Sequence, residues 1–191
     1  LEKHNLLSKY ESLSEIHNPT EIMLLKRARQ RLKYEELFLY LLKINYLKDK
    51  NNSSLGAITR EIAYDKINKL ISSLPYELTI DQKNSLDEIL NDMASNNRMN
   101  RLLQGDVGSG KTIVALLASY ANYLSKYQTA IMAPTEILAT QHYNEAKKLF
   151  KDTKMHIELL TSSTTKKEKE RIYNELSNGT VDLIIGTQSL I

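Results

Sequence analysis

One stretch of eight residues limits what this chain can fold into more than any other. Residues 105–112 read GDVGSGKT and match the pattern G-x-x-x-x-G-K-[S/T] at every fixed position. Glycines in such a loop allow several backbone N–H groups to face one anion, and a helix that begins at the end of the loop adds its positive pole. The pattern therefore predicts a loop that binds the phosphates of a nucleotide.

Two side chains of this loop are predicted to act directly on the nucleotide. Lys111 would place its ammonium on the β- and γ-phosphates, and the Thr112 hydroxyl would hold Mg²⁺. We therefore expect ATP and Mg²⁺ as ligands, with Lys111 and Thr112 as the catalytic residues and Thr112 as the metal ligand. The predicted nucleotide-binding residues of the loop are Gly105, Asp106, Val107, Gly108, Ser109, Gly110, Lys111 and Thr112.

Strand and helix patterns alternate on both sides of the phosphate loop. Such alternation predicts an α/β fold of the P-loop NTPase type, with a parallel sheet and helices on both faces. The predicted strands are residues 100–104, 129–133, 155–160 and 181–185, and the helices between them are residues 113–127, 135–150 and 165–177.

Three short loops of small polar residues follow the last three predicted strands. The carboxyl ends of parallel strands meet at one edge of the sheet, where ligands of such folds gather. Small polar residues are typical of turns, and they can equally donate hydrogen bonds to a sugar-phosphate backbone. The predicted DNA-binding residues are Pro134, Thr135 and Glu136, then Thr161, Ser162 and Ser163, and finally Gly186 and Thr187.

The chain before the phosphate loop is predicted to be helical. One long helix is expected over residues 21–48, followed by a loop over residues 49–54 and a shorter helix over residues 61–70. Within the long helix, residues 26–33 hold five cations. These either form a solvated helix face or contact a phosphate backbone, and periodicity does not decide between the two. Residues 37–42 are apolar all round, which predicts burial against a larger partner.

A domain junction is predicted at residues 72–75, which gives a helical segment over residues 1–73 and the α/β domain over residues 74–191. Just inside the second domain, Thr79 and Gln82 have the spacing of a helix capping box. The Gln82 amide could also read the edge of an adenine base, because it donates and accepts hydrogen bonds at once.

Composition excludes several kinds of site. The 191 residues include no cysteine, so disulfides, thiolate metal sites and cysteine nucleophiles are excluded, and a cytoplasmic location is expected. No apolar run approaches the length of a membrane span, and the four histidines show no metal-ligand spacing. The net charge of +3 divides unevenly, with 13 basic against 9 acidic residues in the first 75 positions and 13 against 14 in the rest. This balance permits a nucleic-acid partner without requiring one.

Several motifs resemble those of the RecG family of superfamily 2 DNA helicases. The sequence at residues 100–112 is similar to the family's motif I, and residues 133–143 are similar to its motif Ia. Residues 159–163 and 185–191 resemble its next two DNA-facing motifs, and residues 74–82 resemble its Q-motif. Residues 16–19 and 31–38 are similar to the segment that joins the family's wedge domain to its motor. Gln188 and Ser162 depart from the family, where His and Gly are expected.

The resemblance implies a helical linker followed by the first RecA-like lobe of an ATP-dependent DNA helicase. Such enzymes remodel branched DNA and stalled replication forks in recombination and repair. The wedge domain, the second motor lobe and the acidic motif that shares Mg²⁺ are expected outside these 191 residues, so this piece is expected to bind ATP without hydrolysing it. Glu88 lies in a helix before the loop and does not replace that motif. The alternatives are the motor of a transcription-repair coupling translocase, a P-loop kinase, and a non-enzymatic binding module built on the basic helix.

Overall fold

Two helices, α1 (Lys9–His17) and α2 (Ile22–Ser54), pack against each other in the first of the chain's two units. The computed structural model describes residues 6–54, 58–96 and 98–190, and its contacts divide the chain into Leu1–Gly56 and Ala57–Ile191. Ser8 and Glu11 form a capping box at the start of α1. Ser12 and Ala28 are fully buried, as expected of small side chains where two helices approach closely.

The long helix α2 differs from its prediction in two ways. It continues to Ser54, so the loop expected over residues 49–54 is wrong. Those residues are polar, but they include neither glycine nor proline to end a helix. The apolar residues 37–42 are 51–62% exposed, so the burial predicted for them is not present within this unit. Although α2 is long, no helix in the described ranges is both long and apolar enough to cross a membrane.

The second unit contains the remaining helices and a parallel sheet. A 3₁₀ turn, Gln188–Leu190, follows the last strand. In chain order, the other elements are α3 (Tyr64–Ser72), α4 (Ile80–Ala94), α5 (Lys111–Leu124), β1 (Thr129–Met132), α6 (Glu136–Leu149), β2 (Ile157–Leu160), α7 (Lys166–Ser177) and β3 (Leu183–Gly186).

The three strands pair in the order β1-β3-β2, and all pairs are parallel. Leu183 lies opposite both Thr129 and Ile157, and Gly186 lies opposite both Met132 and Leu160. The first residues of the three strands are therefore aligned across the sheet, and so are their last residues. Because their carboxyl ends are level, the chain leaves β1, β2 and β3 at the same edge of the sheet.

Successive residues of the central strand β3 point to opposite faces of the sheet, as the period of a strand requires. Leu183 and Ile185 are buried in one cluster with apolar residues of α3, α4, α5 and α6. Ile184 lies in a second cluster with Ile172 of α7. Helices thus cover both faces, with α5 and α6 on one face and α7 on the other.

The strand predicted over residues 100–104 is not formed. This segment has no regular secondary structure and pairs with none of the three strands. Leu102 is 87% exposed, whereas a central strand would bury it. The apolar pattern of these residues wrongly predicted a strand, because a strand also needs a hydrogen-bonded neighbouring strand. A local sequence pattern does not identify that neighbour.

The division between the units lies nearer the start of the chain than the predicted junction. Helix α3, assigned from the sequence to the helical segment of residues 1–73, belongs to the second unit. Ile67 and Leu70 are buried in its main core cluster, so α3 folds with the sheet rather than with α2. The assignment of residues 1–73 and 74–191 to a linker and a motor lobe stays a prediction.

Candidate nucleotide site and sheet edge

The phosphate loop leads directly into helix α5. Gly110 is the N-cap residue and Lys111 is the first residue of the helix. The free N–H groups of the first helical turn, together with the helix dipole, make this a favourable place for an anion. Val114, Leu116 and Leu117 are buried, so the helix that ends at the loop is anchored in the core.

Two glycines of the loop have left-handed backbone conformations. Gly108 has φ 83° and Gly110 has φ 78°, a region that residues with a Cβ rarely adopt. A Cβ on Gly108 would have open space around it, whereas one on Gly110 would collide with the Gln82 amide nitrogen. The backbone conformation therefore favours glycine at both positions, and a Cβ at Gly110 would in addition displace the Gln82 amide.

The Lys111 ammonium lies within the curve of the loop. Its Nζ donates hydrogen bonds of 2.7 Å to the carbonyl oxygens of both Gly105 and Asp106. The Ser109 hydroxyl lies 3.5 Å from the same nitrogen. Thr112 follows in the first turn of α5 and is half-buried, while Asp106 and Val107 are exposed at the tip of the loop. The predicted nucleotide-binding residues of the loop therefore lie together at one helix terminus.

Gln82 links helix α4 to the phosphate loop. Its Oε1 accepts a hydrogen bond from the Thr79 N–H at 2.9 Å, and the Gln82 N–H donates to Thr79 Oγ1 at 3.2 Å. These two bonds confirm the predicted capping box. Its Nε2 also donates to the Ser109 carbonyl at 2.8 Å. Gln82 is thus a cap that also contacts the phosphate loop, and a role in reading adenine stays a prediction.

Arg101 connects the segment before the loop to α4, a feature that the sequence analysis missed. Its guanidinium pairs with Asp92 at 2.8 Å and also with Glu88. The hydrogen bond to Asp92 is the largest cause of a raised pKa for Arg101. The sequence does show two carboxylates one turn apart on α4 and an arginine soon after the helix. This pattern is common on solvated surfaces, so it did not indicate a specific contact. Glu88, which was not predicted to act as the metal-binding acidic residue, is an ion-pair partner of Arg101.

The eight predicted DNA-binding residues lie at the carboxyl edge of the sheet, and we call them the rim. The Ala133 N–H donates to the Gly186 carbonyl at 2.8 Å, and the Thr187 N–H donates to the Leu160 carbonyl at 3.3 Å. These bonds continue the sheet past its last paired residues. The three loops that local patterns placed separately are thus neighbours.

The rim residues differ in exposure. Thr161 is 3% exposed and Gly186 is also buried, so neither residue lies on the surface of this unit. Gly186 is the last residue of the central strand and Thr161 begins a tight turn, which explains their burial, and a DNA contact by these two residues stays a prediction. Among the rest, Pro134, Thr135, Ser162 and Ser163 are exposed, and Glu136 and Thr187 are half-buried.

Glu136 connects two of the rim loops. Its carboxylate accepts hydrogen bonds from the Ser162 hydroxyl and from the Ser163 N–H, the latter at 3.1 Å. The bond from the Ser162 hydroxyl is the largest cause of a lowered pKa for Glu136. Thr135 caps α6 by accepting from the Leu138 N–H at 3.3 Å. The acidic side chain of the rim therefore occupies two donors that were assigned to DNA.

A group of charged residues at the start of β2 and on α7 lies apart from the rim residues. His156 Nε2 is 3.1 Å from Glu158, and Arg171 donates to Glu158 at 3.0 Å and to Glu175 at 2.7 Å. The ligand atoms of the histidine and the two glutamates lie within 4.8 Å of one another, a spacing that could suit a metal. Because Arg171 already bonds both carboxylates, the group has the character of an ion-pair network.

This network changes the ionisation of Glu158. Burial acts to raise the pKa of Glu158, but the hydrogen bonds from Arg171 and His156 outweigh it and leave the pKa below its ordinary value. The bond to Glu158 is also the largest cause of the raised pKa of Arg171. Local spacing does not indicate a partner for His156, because its partners come from a strand and a helix that are distant in the sequence.

Comparisons with known proteins agree with this geometry. A model of the DEAD/DEAH box helicase family matches residues 79–191, more than half of the chain. The ATP-dependent DNA helicase RecG of Thermotoga maritima is 46% identical over 191 residues, which cover all of this chain and 24% of that protein. The RecG of Borreliella burgdorferi is 43% identical over 190 residues, covering all of this chain and 27% of that relative.

One solved structure has a similar fold over nearly the whole chain. The structure of RecG bound to a three-way DNA junction matches with a TM-score of 0.82 and 45% identity, covering 98% of this chain and 26% of that one. The chain therefore spans about a quarter of the length of the relatives it matches. The matches confirm the resemblance to RecG helicases and the α/β, RecA-like architecture with a helical segment before it. The chain belongs to the DEAD/DEAH box helicase family.

Proposed function

We propose that this chain is the nucleotide-binding part of an ATP-dependent DNA helicase that remodels branched DNA and stalled replication forks in recombination and repair. The observation that carries the proposal is the phosphate loop at the start of α5, which Gln82 bonds directly. A loop of this kind in a chain of a helicase family is best explained as the site that binds ATP.

The residues of the loop fit the triphosphate of ATP. Lys111 now bonds two carbonyl groups of the loop. On binding, it would exchange one or both of these partners for β- and γ-phosphate oxygens, so that the ammonium would bond an anionic acceptor in place of an uncharged carbonyl. Thr112 would hold Mg²⁺, which supplies neutralisation of charge on the phosphate oxygens when it is bound.

The adenine base is proposed to contact Gln82. The amide uses one N–H and one lone pair on Ser109 and Thr79. A second N–H and a second lone pair remain, and together they match the paired acceptor and donor on the edge of adenine. The same side chain would then connect recognition of the base to the shape of the phosphate loop.

The exposed part of the rim is proposed to contact the DNA backbone. Hydroxyl and backbone N–H donors suit phosphate oxygens, which carry no sequence information, so contact there would be independent of sequence. Two of these donors, on Ser162 and Ser163, now bond Glu136. DNA would therefore either displace this carboxylate or use Thr135, Thr187 and the neighbouring backbone.

The wider setting follows from the same proposal. We place the protein in the cytoplasm, with branched DNA as its partner and with a wedge domain and a second motor lobe in the same polypeptide. For the 191-residue chain alone we expect ATP binding without useful hydrolysis, because only Lys111 and Thr112 among the parts needed for phosphoryl transfer are assigned here. A P-loop kinase is not favoured, because the helicase family model spans the phosphate loop and the rim together.

The test is ATP hydrolysis by the whole protein that contains this chain, measured without DNA, with linear duplex and with a forked duplex. We expect forked DNA to stimulate hydrolysis most, and Lys111→Ala to reduce the stimulated rate by about a hundredfold or more, as loss of one preorganised charge contact does elsewhere. Lys69→Ala, on the surface of α3, is the matched control and should leave the rate unchanged. Hydrolysis that does not respond to DNA would contradict the proposal.

A further inference from the structure

The five cations at residues 26–33 do not form one uniform patch. The structure divides them into two sets on different sides of α2. Arg27 and Arg31 are half-buried, whereas Lys26, Arg29 and Lys33 are exposed. Periodicity alone does not decide whether these cations form a solvated helix face or contact a phosphate backbone, and the two sets differ in this respect.

Each arginine of the half-buried set has a carboxylate of the first unit near it. Arg31 pairs with Glu35 at 2.7 Å, and Lys9 of α1 donates to the same carboxylate at 2.7 Å. The Arg31 side chain is only 11% exposed. Arg27 attracts the carboxylate of Glu11 on α1. The bond from Lys9 to Glu35 joins the two helices, and both arginines are directed towards carboxylates of their own unit.

The exposed set has no such partners. Lys26, Arg29 and Lys33 form no ion pair with any carboxylate of the described residues. Glu36, one turn beyond Lys33, is the acidic residue nearest to them along this side of the helix, and no ion pair joins it to them either. We call this set, together with Gln30 and Tyr34, the outer basic face. These five residues line a shallow surface groove of about 480 Å³.

The spacing of the outer basic face suits a nucleic-acid backbone. An α-helix rises 1.5 Å per residue, so Lys26 and Lys33 lie about 10 Å apart along the axis. Each strand of duplex DNA presents one phosphate every 3.4 Å of its axis, so about three phosphates fall within that length. Gln30 adds an amide donor between the cations, and the Tyr34 ring is held in a stack on Phe38 at a centroid distance of 6.2 Å.

We propose that the outer basic face of α2 is a second DNA-binding surface, which contacts the phosphate backbone without reading sequence. The inference rests on the proposed function, because that function supplies DNA as the polyanion. It goes beyond that function in assigning a DNA contact to the first unit, apart from the rim. Three unneutralised cations on one helical stripe are complementary to consecutive phosphates, and the polar residues between them add donors rather than apolar anchors.

The test compares two triple variants that remove equal charge. The first is Lys26→Gln with Arg29→Gln and Lys33→Gln. The control is Lys148→Gln with Lys151→Gln and Lys154→Gln, which are exposed lysines between the last turn of α6 and the start of β2, at the end of the sheet away from the rim. Affinity of the whole protein for duplex and forked DNA is measured over a series of salt concentrations, with circular dichroism to compare helix content.

The slope of log affinity against log salt should become shallower by about 2 to 3 in the first variant, because each lost phosphate contact removes about 0.9 from it. At low salt its Kd for DNA should rise more than tenfold. In the control variant the slope should change by less than about 0.9, the value of one phosphate contact. Equal effects of the two triples, or an unchanged slope, would overturn the inference. Tighter binding of the wild-type protein to anionic lipid vesicles than to DNA would overturn it as well.

The outcome separates this inference from the proposed function. If the first variant binds DNA as tightly as the wild-type protein and forked DNA still stimulates ATP hydrolysis, the outer basic face is not a DNA surface and the proposed function stands. If DNA does not stimulate the wild-type protein at all, the proposed function fails first. Loss of helix content in the first variant would be checked with Lys33→Gln alone, which should still lower the slope by about 0.9.

Discussion

Gln82 uses the two ends of one amide for two different parts of the second unit. Its oxygen completes the capping box of α4, and its nitrogen bonds the Ser109 carbonyl in the phosphate loop. We therefore expect Gln82 to contribute to stability and to influence nucleotide binding. The two roles can be separated because Thr79 belongs to the cap alone.

The first prediction compares Gln82→Ala with Thr79→Ala. Loss of the cap should lower the free energy of unfolding by about 1 kcal/mol in either variant, and loss of the bond to Ser109 should add about 1 kcal/mol in Gln82→Ala. Only Gln82→Ala should also reduce the preference for ATP over GTP. Melting temperature and the two nucleotide affinities are the measurements. An unchanged preference in Gln82→Ala would show that the residue is a cap and a tether only.

The second prediction concerns the two left-handed glycines. Gly108→Ala should lower the free energy of unfolding by about 1 kcal/mol, the lower end of the cost of a left-handed conformation for a residue with a Cβ. Gly110→Ala should cost more than Gly108→Ala, because its Cβ would also collide with the Gln82 amide. It should weaken ATP binding more as well. Chemical denaturation and nucleotide titration of both variants check this, and equal losses would contradict the described packing.

At the scale of elements, the start of α6 is coupled to the turn after β2 through Glu136. Two donors from that turn bond the carboxylate, and its pKa falls below the ordinary value of 4.5. A lowered pKa in the folded state means that the ionised form is the one stabilised. The contribution is therefore present above pH 4.5 and is lost as the pH falls through the lowered pKa.

The third prediction is a titration of this carboxylate by NMR. In the wild-type chain Glu136 should titrate below 4.5, and in Ser162→Ala its pKa should move back towards 4.5, because the hydroxyl is the largest cause of the shift. Ser177→Ala, at the end of α7, removes a hydroxyl that does not contact Glu136 and is the control. A Glu136 that titrates at its ordinary value in the wild type would mean that the two loops are not joined in this way.

Features of the sequence that lie within one turn of a helix were predicted correctly. The capping box at Thr79 is confirmed, because it depends on two residues three positions apart. The three paired strands were predicted from local patterns in the same way. The strand over residues 100–104 was wrong and α2 was predicted too short, since neither a missing neighbour nor a missing stop signal appears in local periodicity.

Contacts between distant parts of the chain were not predictable. The bond from Gln82 to Ser109 joins residues 27 apart, and the bond from Ser162 to Glu136 joins residues 26 apart. The strand order β1-β3-β2 determines which loops become neighbours, and local spacing does not give that order. The phosphate loop could be found without it, because all of its fixed positions are consecutive in the sequence.

At the scale of the whole molecule, the two proposed DNA contacts belong to separate units. The rim belongs to the sheet of the second unit, and the outer basic face belongs to α2 of the first. The first unit holds 10 basic against 7 acidic residues, whereas the second holds 16 of each, and this difference agrees with the division. Because both contacts would be with phosphates, the protein should bind DNA with a steep dependence on salt and without sequence preference.

The loop at the start of α5 is proposed to bind ATP through Lys111. The most direct measurement is a titration of the chain with a fluorescent ATP analogue in the presence of Mg²⁺, for the wild type and for Lys111→Ala. Loss of a charge-assisted bond of about 1.5–3 kcal/mol should weaken binding by about tenfold to a hundredfold. Lys69→Ala is the control and should bind as the wild type does. Equal dissociation constants for the wild type and Lys111→Ala would contradict the account.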